Sequence, residues 1–376
     1  MTLITYSTRV HFADGILEEA IWSEVEAKGR KRPLLIGSAH GDDAELLDRI
    51  IAGLPVPSRA KFFADIPRTP RQQHVQHIAD TFRREEADVL IAFGGSTAID
   101  LAKLARLSLS TGSDTLDLLT HFEGAAARRH GLPDLIAIPD NRGLGPAVSA
   151  YAPVLLESGS AQRVISSDLI PDVTICDPSI AADVSPDDQA SAVAEALARC
   201  LEAYLSPGYN PPAEGIAFDG FKRVVDVLSR PRGRLSREAR RDVMAANLNG
   251  ALALQKDLGT THALAMVLRI VADRDLDAGA VCRIILPRML EVYEEQDRAK
   301  TLLARRAVGF SETASLADGL LPLLRELPLP SRLSELGVRE ADIVEAAHVA
   351  ETEFVGRGHD LGAQPGRLRA LMASVH

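Results

Sequence analysis

The sequence predicts an α/β domain built on a parallel sheet, followed by an all-helical domain. Three observations carry this. Short apolar runs alternate with amphipathic helical patterns through the first half, a Gly-Gly-Ser-Thr turn joins one such run to the next helix, and strand patterns cease beyond about Ser185. In order, residues 33–36 read as a strand and 44–52 as a helix. Residues 61–66 form a second strand, with 71–85 as its helix. Residues 87–93 (Ala-Asp-Val-Leu-Ile-Ala-Phe) are a buried strand that feeds a helix over 99–109, and 135–139 add a further strand. Such alternation implies a parallel sheet covered on both faces, with ligands bound beyond the carboxyl ends of its strands. Gly94 and Gly143 fall there. Residues 112–130 read as an irregular connection with some helical character.

The second half is read as helices over 187–204, 211–228, 236–255, 277–296 and 340–352, with Pro207, Pro211 and Pro212 punctuating the first two. The boundary is placed at Asp177-Pro178, giving domains 1–178 and 179–376. A chain of 376 residues fits two domains. The formal net charge is −10 and no basic block stands out, which argues against nucleic-acid binding. The three cysteines, Cys176, Cys200 and Cys282, lack metal-ligand spacing and fit packing in a reducing compartment. The N-terminus lacks a basic start with an apolar run, and no apolar stretch is long enough to span a bilayer, so a cytoplasmic protein without membrane association is expected.

The run Gly94-Gly95-Ser96-Thr97-Ala98-Ile99-Asp100-Leu101-Ala102-Lys103 is the most informative segment. A strand, two glycines and a helix start aim free backbone N–H groups at a phosphate, and Ser96 and Thr97 add hydroxyls that cap or bind. An ordinary strand-to-helix turn is the competing reading. The run resembles the Gly-Gly-Gly-Ser-x-x-Asp-x-x-Lys diphosphate loop of the iron-containing (group III) alcohol dehydrogenases, with Ser96 at the third Gly and Thr97 at the Ser. Residues 136–145 are similar to the Ile-Pro-Thr-Thr-x-Gly-Thr-Gly segment of that family, 169–178 to its Pro-x-x-x-x-x-Asp-Pro, 201–206 to its Glu-Ala-Tyr-x-Ser, and 279–287 to its Gly-x-x-x-x-x-x-Leu-Pro helix. The resemblance implies a Rossmann-like domain and an all-α domain in the dehydroquinate synthase-like arrangement, NAD or NADP as cofactor, and a homodimer. It places Gly94, Gly95, Ser96, Thr97, Asp100 and Lys103 at the cofactor, with Asp140, Asn141, Gly143 and Ser38.

In the resembled family an Asp and three His hold a divalent metal that polarises the substrate oxygen. Those positions are Glu195, Arg199, His262 and Ala278 here. Arginine is permanently charged and has no lone pair to donate. The expectation is therefore that the chain lacks the family metal. Arg199 either replaces it as an electrophile or clamp, or simply pairs with Glu195 at i,i+4 or Glu202 at i,i+3. His262 is either a proton donor to a carbonyl oxygen or a core residue. Lys256, Arg269, Arg283 and Arg288 either add positive potential or sit on solvated faces. The cofactor side also departs: Asp140-Asn141 replaces Thr-Thr, and Pro146-Ala147 replaces Ser-Glu. A carboxylate beside a diphosphate is unfavourable. Where members that prefer NAD often carry an Asp, Gly37-Ser38 leaves a 2′-phosphate unopposed, and Asp42 and Asp43 read as acids at the next helix start.

The leading functional expectation is an NAD(P)H-dependent oxidoreductase moving a hydride to or from a small aldehyde, ketone or oxo acid without the family metal. Arg199, His262 and Glu195 are its catalytic candidates. A non-catalytic relative with a weakened cofactor site is the alternative. The start Arg9-Val10-His11-Phe12-Ala13-Asp14-Gly15 is similar to maleylacetate reductases. A non-redox reaction of the dehydroquinate synthase kind is the remaining option.

Overall fold

The first unit of the chain ends at Val184 and the second begins at Ser185. The computed structural model describes residues 8–38, 42–111, 131–140, 144–181, 184–230, 233–254, 256, 259–272, 274, 276–351 and 366–376. The first unit contains β1 (Arg9–Phe12), α1 (Leu17–Ala27), β2 (Pro33–Ile36), α2 (Asp42–Gly53), β3 (Lys61–Phe63), α3 (Gln72–Arg84), β4 (Val89–Gly94), α4 (Ser96–Thr111), β5 (Asp134–Pro139), α5 (Leu144–Val148), β6 (Tyr151–Leu155), β7 (Ala161–Ile165) and β8 (Val173–Cys176). Six of these strands form a sheet in the order β1-β8-β5-β4-β2-β3, with every neighbouring pair parallel. Strands β6 and β7 form a separate antiparallel hairpin.

The continuous apolar strands follow from cover on both faces. Leu34, Leu90 and Leu135 lie in register, as do Ile36, Ala92 and Ala137, and this face packs on α3 through Val75 and Ile78 and on α4 through Ile99 and Ala102. The alternate residues Leu35, Ile91, Ile136 and Val173 face α1 and α2 through Leu17, Ile21, Val25, Leu46 and Ile50. With a side-chain period of two, both faces demand apolar residues, and the buried Thr174 of β8 is accommodated by donating its hydroxyl to the Ala147 carbonyl at 2.6 Å.

The expected strand over 61–66 pairs only as Lys61–Phe63, at the sheet edge. Pro67 and Pro70 lie just beyond and have no N–H for a ladder. The helix expected over 99–109 begins at Ser96, immediately after the glycines, and runs to Thr111. The connection over 112–130 lies outside the described residues. The short strands β1, β6, β7 and β8 were not legible as such.

The Asp-Pro at the end of β8 has a clear structural task. The Asp177 side chain is fully buried and accepts hydrogen bonds from the Gly15 N–H at 2.8 Å, the Leu17 N–H at 3.3 Å and the Ser179 N–H at 2.9 Å, while the Arg49 guanidinium lies 3.1 Å away. It thereby ties β8 to the start of α1 and to α2. Burial raises its carboxyl pKa, but the bonds from Ser179, Gly15 and Arg49 outweigh this and hold it below the ordinary carboxyl value. A carboxyl lowered on folding stabilises fully above its unfolded value and loses that contribution as pH falls through the folded value. Asp177→Asn is therefore expected to cost about 1–3 kcal/mol near neutral pH. The gap to the parent protein should narrow below roughly pH 4. Chemical denaturation at several pH values checks this, and a pH-independent gap would contradict it.

The second unit holds α6 (Pro186–Leu205), α7 (Pro211–Leu228), α8 (Arg237–Ala253), α9 (Thr260–Val271), α10 (Ala278–Gln296), α11 (Arg298–Ala307), α12 (Leu316–Arg325), α13 (Glu340–Val349) and α14 (Arg367–Ala373). Helix α6 starts cleanly: the Ser185 hydroxyl accepts the Asp188 N–H at 3.1 Å, with Pro186 in the first turn. Every residue from Gln189 to Leu205 is buried, because α7, α8, α9 and α10 all pack on it. A helix enclosed on every side should be apolar throughout. Glu195, Arg199 and Glu202 break that rule and mark the centre of this unit. Among the described residues, no helix is long and apolar enough to cross a membrane.

Candidate active site

In the first unit, the carboxyl end of β4 turns sharply at Gly94, whose φ of +90° favours glycine. The Gly94 carbonyl accepts the Asp140 N–H at 3.1 Å, which fixes the end of β5 against this turn. A Cβ built on Gly95 would meet only Asp140 Oδ2, at 4.0 Å, so the space above Gly95 is open except for that carboxylate. Helix α4 begins at Ser96, and a helix start with its dipole suits an anion. A cradle of bare glycine backbone at a helix start fits a dinucleotide diphosphate, with the buried Asp140 as the opposing charge. Ser38 is half-buried just beyond β2. Asn141 and Gly143 lie outside the described residues.

The other motif residues turn inward. The Thr97 hydroxyl donates to the Arg68 carbonyl at 3.2 Å, anchoring the segment between β3 and α3. Lys103 is fully buried. Its ammonium donates to Ser149 Oγ at 3.1 Å and to the Tyr151 carbonyl, and lies 3.5 Å from Asp100 Oδ1. Burial pushes its pKa down to about 8, against the pull of Asp100. The end of the motif thus braces α4 against β6.

In the second unit, Glu195, Arg199 and His262 come together. Successive turns of α6 place the Arg199 guanidinium on Glu195 Oε1, and Arg199 Nη1 lies 3.4 Å from Asn247 Oδ1 of α8. His262 projects from α9 with Nδ1 3.8 Å from the same Glu195 oxygen, too far for a hydrogen bond. All three are less than 5 % exposed. Burial first, and the Arg199 charge second, push the His262 pKa well below its ordinary value, leaving a neutral imidazole near pH 7. The site is a permanent cation locked to a carboxylate beside a neutral histidine.

A model of iron-containing alcohol dehydrogenases matches residues 7–178, and one of the family's C-terminal domain matches residues 189–359. The chain belongs to the iron-containing alcohol dehydrogenase family. It is 31% identical over 351 residues to a 4-hydroxybutyrate dehydrogenase of Cupriavidus necator, covering 90% of this chain and 91% of that one. It is 24% identical over 365 residues to an alcohol dehydrogenase of Thermococcus barophilus, covering 94% and 93%. Among solved structures, a sulfoacetaldehyde reductase from Bifidobacterium kashiwanohense in complex with NAD+ superposes with a TM-score of 0.85 at 20% identity, covering 100% of this chain and 98% of that one. A 1,3-propanediol oxidoreductase gives 0.84 at 20%, with full coverage of both chains. These likenesses show the fold: a Rossmann-like domain followed by an all-helical one.

The family's metal does not fit the residues present. Of the four positions that the resemblance assigns to the family's ligands, Glu195 and His262 offer lone pairs, Ala278 offers none, and the Arg199 cation holds the Glu195 carboxylate. Among the described residues, no three His, Cys, Asp or Glu side chains form a group that could hold a metal ion. Cys282 is in the same interior, and burial, with Glu195 and Glu202 adding, holds its thiol well above the ordinary range. Burial pushes Cys176 and Cys200 up to about 12, so all three thiols stay protonated and suited to packing.

The basic residues considered beside the site have local partners. Lys256 and Lys300 both reach Glu214 Oε1, at 2.8 and 3.1 Å, and the Tyr204 carbonyl, each at 3.2 Å. Arg283 donates to the carbonyls of Leu324 and Pro330. Arg288 pairs with Glu291 on an exposed face. One residue has a larger part than its sequence context suggested. Glu202 served above as a motif marker and an alternative partner of Arg199, yet its carboxylate meets α9 and α10. Its signal was a third charged residue at helical spacing from Glu195 and Arg199 on a helix whose neighbouring positions are apolar.

Proposed function

We propose that this chain is an NAD(P)H-dependent oxidoreductase of small aldehydes or oxo acids that uses Arg199 and His262 in place of the family's metal. The observation that carries the proposal is the buried Arg199–Glu195 pair beside a neutral His262, at the positions that the resemblance assigns to the family's ligands. In the reductive direction, a nicotinamide bound to the chain would supply the hydride for the carbonyl carbon, and the oxygen would take up one proton drawn from solvent. Gly94, Gly95 and the first turn of α4 would hold the diphosphate. Arg199 would stabilise negative charge developing on the oxygen, a fixed positive group acting in a dry interior. His262, neutral at working pH, would donate an N–H hydrogen bond to that oxygen, as an un-ionised imidazole can. Glu195 would hold the guanidinium in place.

The relative of greatest identity reported above is named for a hydroxy acid, which supports a carboxylated substrate as the first choice. The test is a fluorescence titration with NADH and NADPH, with metal content measured on the same sample, followed by turnover of 4-oxobutanoate. Saturable binding and turnover without stoichiometric metal are expected. Stoichiometric metal lost in Glu195→Ala would overturn the metal-free reading. A second reading, a relative kept for binding or assembly, is favoured by one observation: the Asp140 carboxylate above Gly95. Failure to bind either nucleotide would select it.

A further inference from the structure

Helix α9 lacks a capping side chain of its own. Its N-cap is Gly259, with φ +77° and no side-chain hydrogen bond. The first turn of a helix leaves its N–H groups without internal acceptors, and a buried helix start must find them elsewhere. Here they are met from another helix. The fully buried Glu202 of α6 accepts the Thr261 N–H at 2.8 Å on Oε1 and 3.0 Å on Oε2, the Thr261 hydroxyl at 2.7 Å, and the His262 N–H at 3.4 Å. The Tyr293 hydroxyl of α10 adds a bond at 3.2 Å. A Cβ on Gly259 would lie 2.4 Å from Glu202 Oε2, so the glycine makes room for this carboxylate as well as for the backbone turn.

We infer that Glu202 is a positioning residue for His262: its carboxylate caps α9 from α6 and so sets where the imidazole stands relative to Arg199. The inference rests on the proposed role of His262. Glu195, Arg199 and Glu202 share one rigid helix, and the residue after Thr261 is His262 itself, so the bonds to Glu202 fix the histidine's depth and rotation against the guanidinium. The negative charge is offset by the helix start it caps. Losing a supporting group of this kind displaces a reacting side chain without removing it, and misplacement by about 1 Å is enough for roughly a hundredfold loss.

The test is Glu202→Gln, which keeps the volume but turns an amide toward donors. Its kcat on 4-oxobutanoate should fall about tenfold to hundredfold, with KM for the nucleotide changing less than about twofold. In a His262→Asn background the same change should have no further effect on kcat. Ring resonances of His262 in the full-length protein should shift in Glu202→Gln. An equal kcat loss in both backgrounds, or an unmoved His262 ring, overturns the inference. If His262→Asn leaves kcat intact, the catalytic role of His262 fails instead, and the ring resonances still decide the positioning. Should Glu202→Gln not fold, Tyr293→Phe removes one donor to the carboxylate and should produce a smaller shift of the same resonances; no shift counts against the inference.

Discussion

Arg199→Met should cost about 3–5 kcal/mol of stability. It should also lower kcat about a hundredfold to a thousandfold. The stability loss follows from what remains: Glu195, only 3% exposed, would keep a buried charge without the guanidinium that compensates it. The double variant Glu195→Gln/Arg199→Met removes both charges and should recover most of the stability, since a buried ion pair is close to neutral against an uncharged replacement. It should not recover turnover if Arg199 acts as proposed, because the cation assigned to the reacting oxygen is gone. Denaturant midpoints and kcat measured on all three proteins separate the two effects. A double variant that regains both stability and turnover would reduce Arg199 to a packing element. One that regains stability alone supports its proposed role at the oxygen.

Asp140→Asn is expected to tighten nucleotide binding at least tenfold. The main-chain bond from Asp140 to Gly94 does not depend on the side chain, so the loop should keep its shape. What changes is a buried negative charge facing the open space above Gly95, where a doubly charged diphosphate would lie. Like charges at close range cost several kcal/mol at the effective dielectric of a partly buried site, and about 1.4 kcal/mol is a factor of ten. Parallel titrations of parent and variant with NADH and NADPH measure the gain. Unchanged affinity for both would mean that the carboxylate does not oppose the diphosphate.

The strands at the centre of the sheet were legible as unbroken apolar runs, and the long helices because they obey one period over enough residues. β2 and α7 lie where these patterns put them. The edge strand β1 carries partly exposed Arg9 and His11 in place of an unbroken apolar run, and β3 was read three residues too long. Helix α9 escaped because its start carries no capping residue of its own: the cap comes from a helix 59 residues earlier in the chain. The turn before α4 was legible from its glycines, whereas the inward turn of Thr97 and Lys103 was not, since their partners Arg68, Ser149 and Tyr151 belong to distant segments. Arg199 with Glu195 was offered by helical spacing, and the structure selects it over the Glu202 pairing. What spacing cannot reveal is the burial that gives the pair its weight.

Gly37 bears on how this chain could change its nucleotide preference over generations. A Cβ at that position would stand 2.5 Å from the ring of Phe93, which is itself wholly enclosed and stacked at 6.1 Å on Phe62. No side chain can enter at position 37 until Phe93 has become smaller, and shrinking Phe93 first opens a void in the sheet core. An acidic residue in place of Gly37 therefore requires a second change at Phe93. The order of substitutions at this strand end is thus set by an aromatic ring packed in the sheet core.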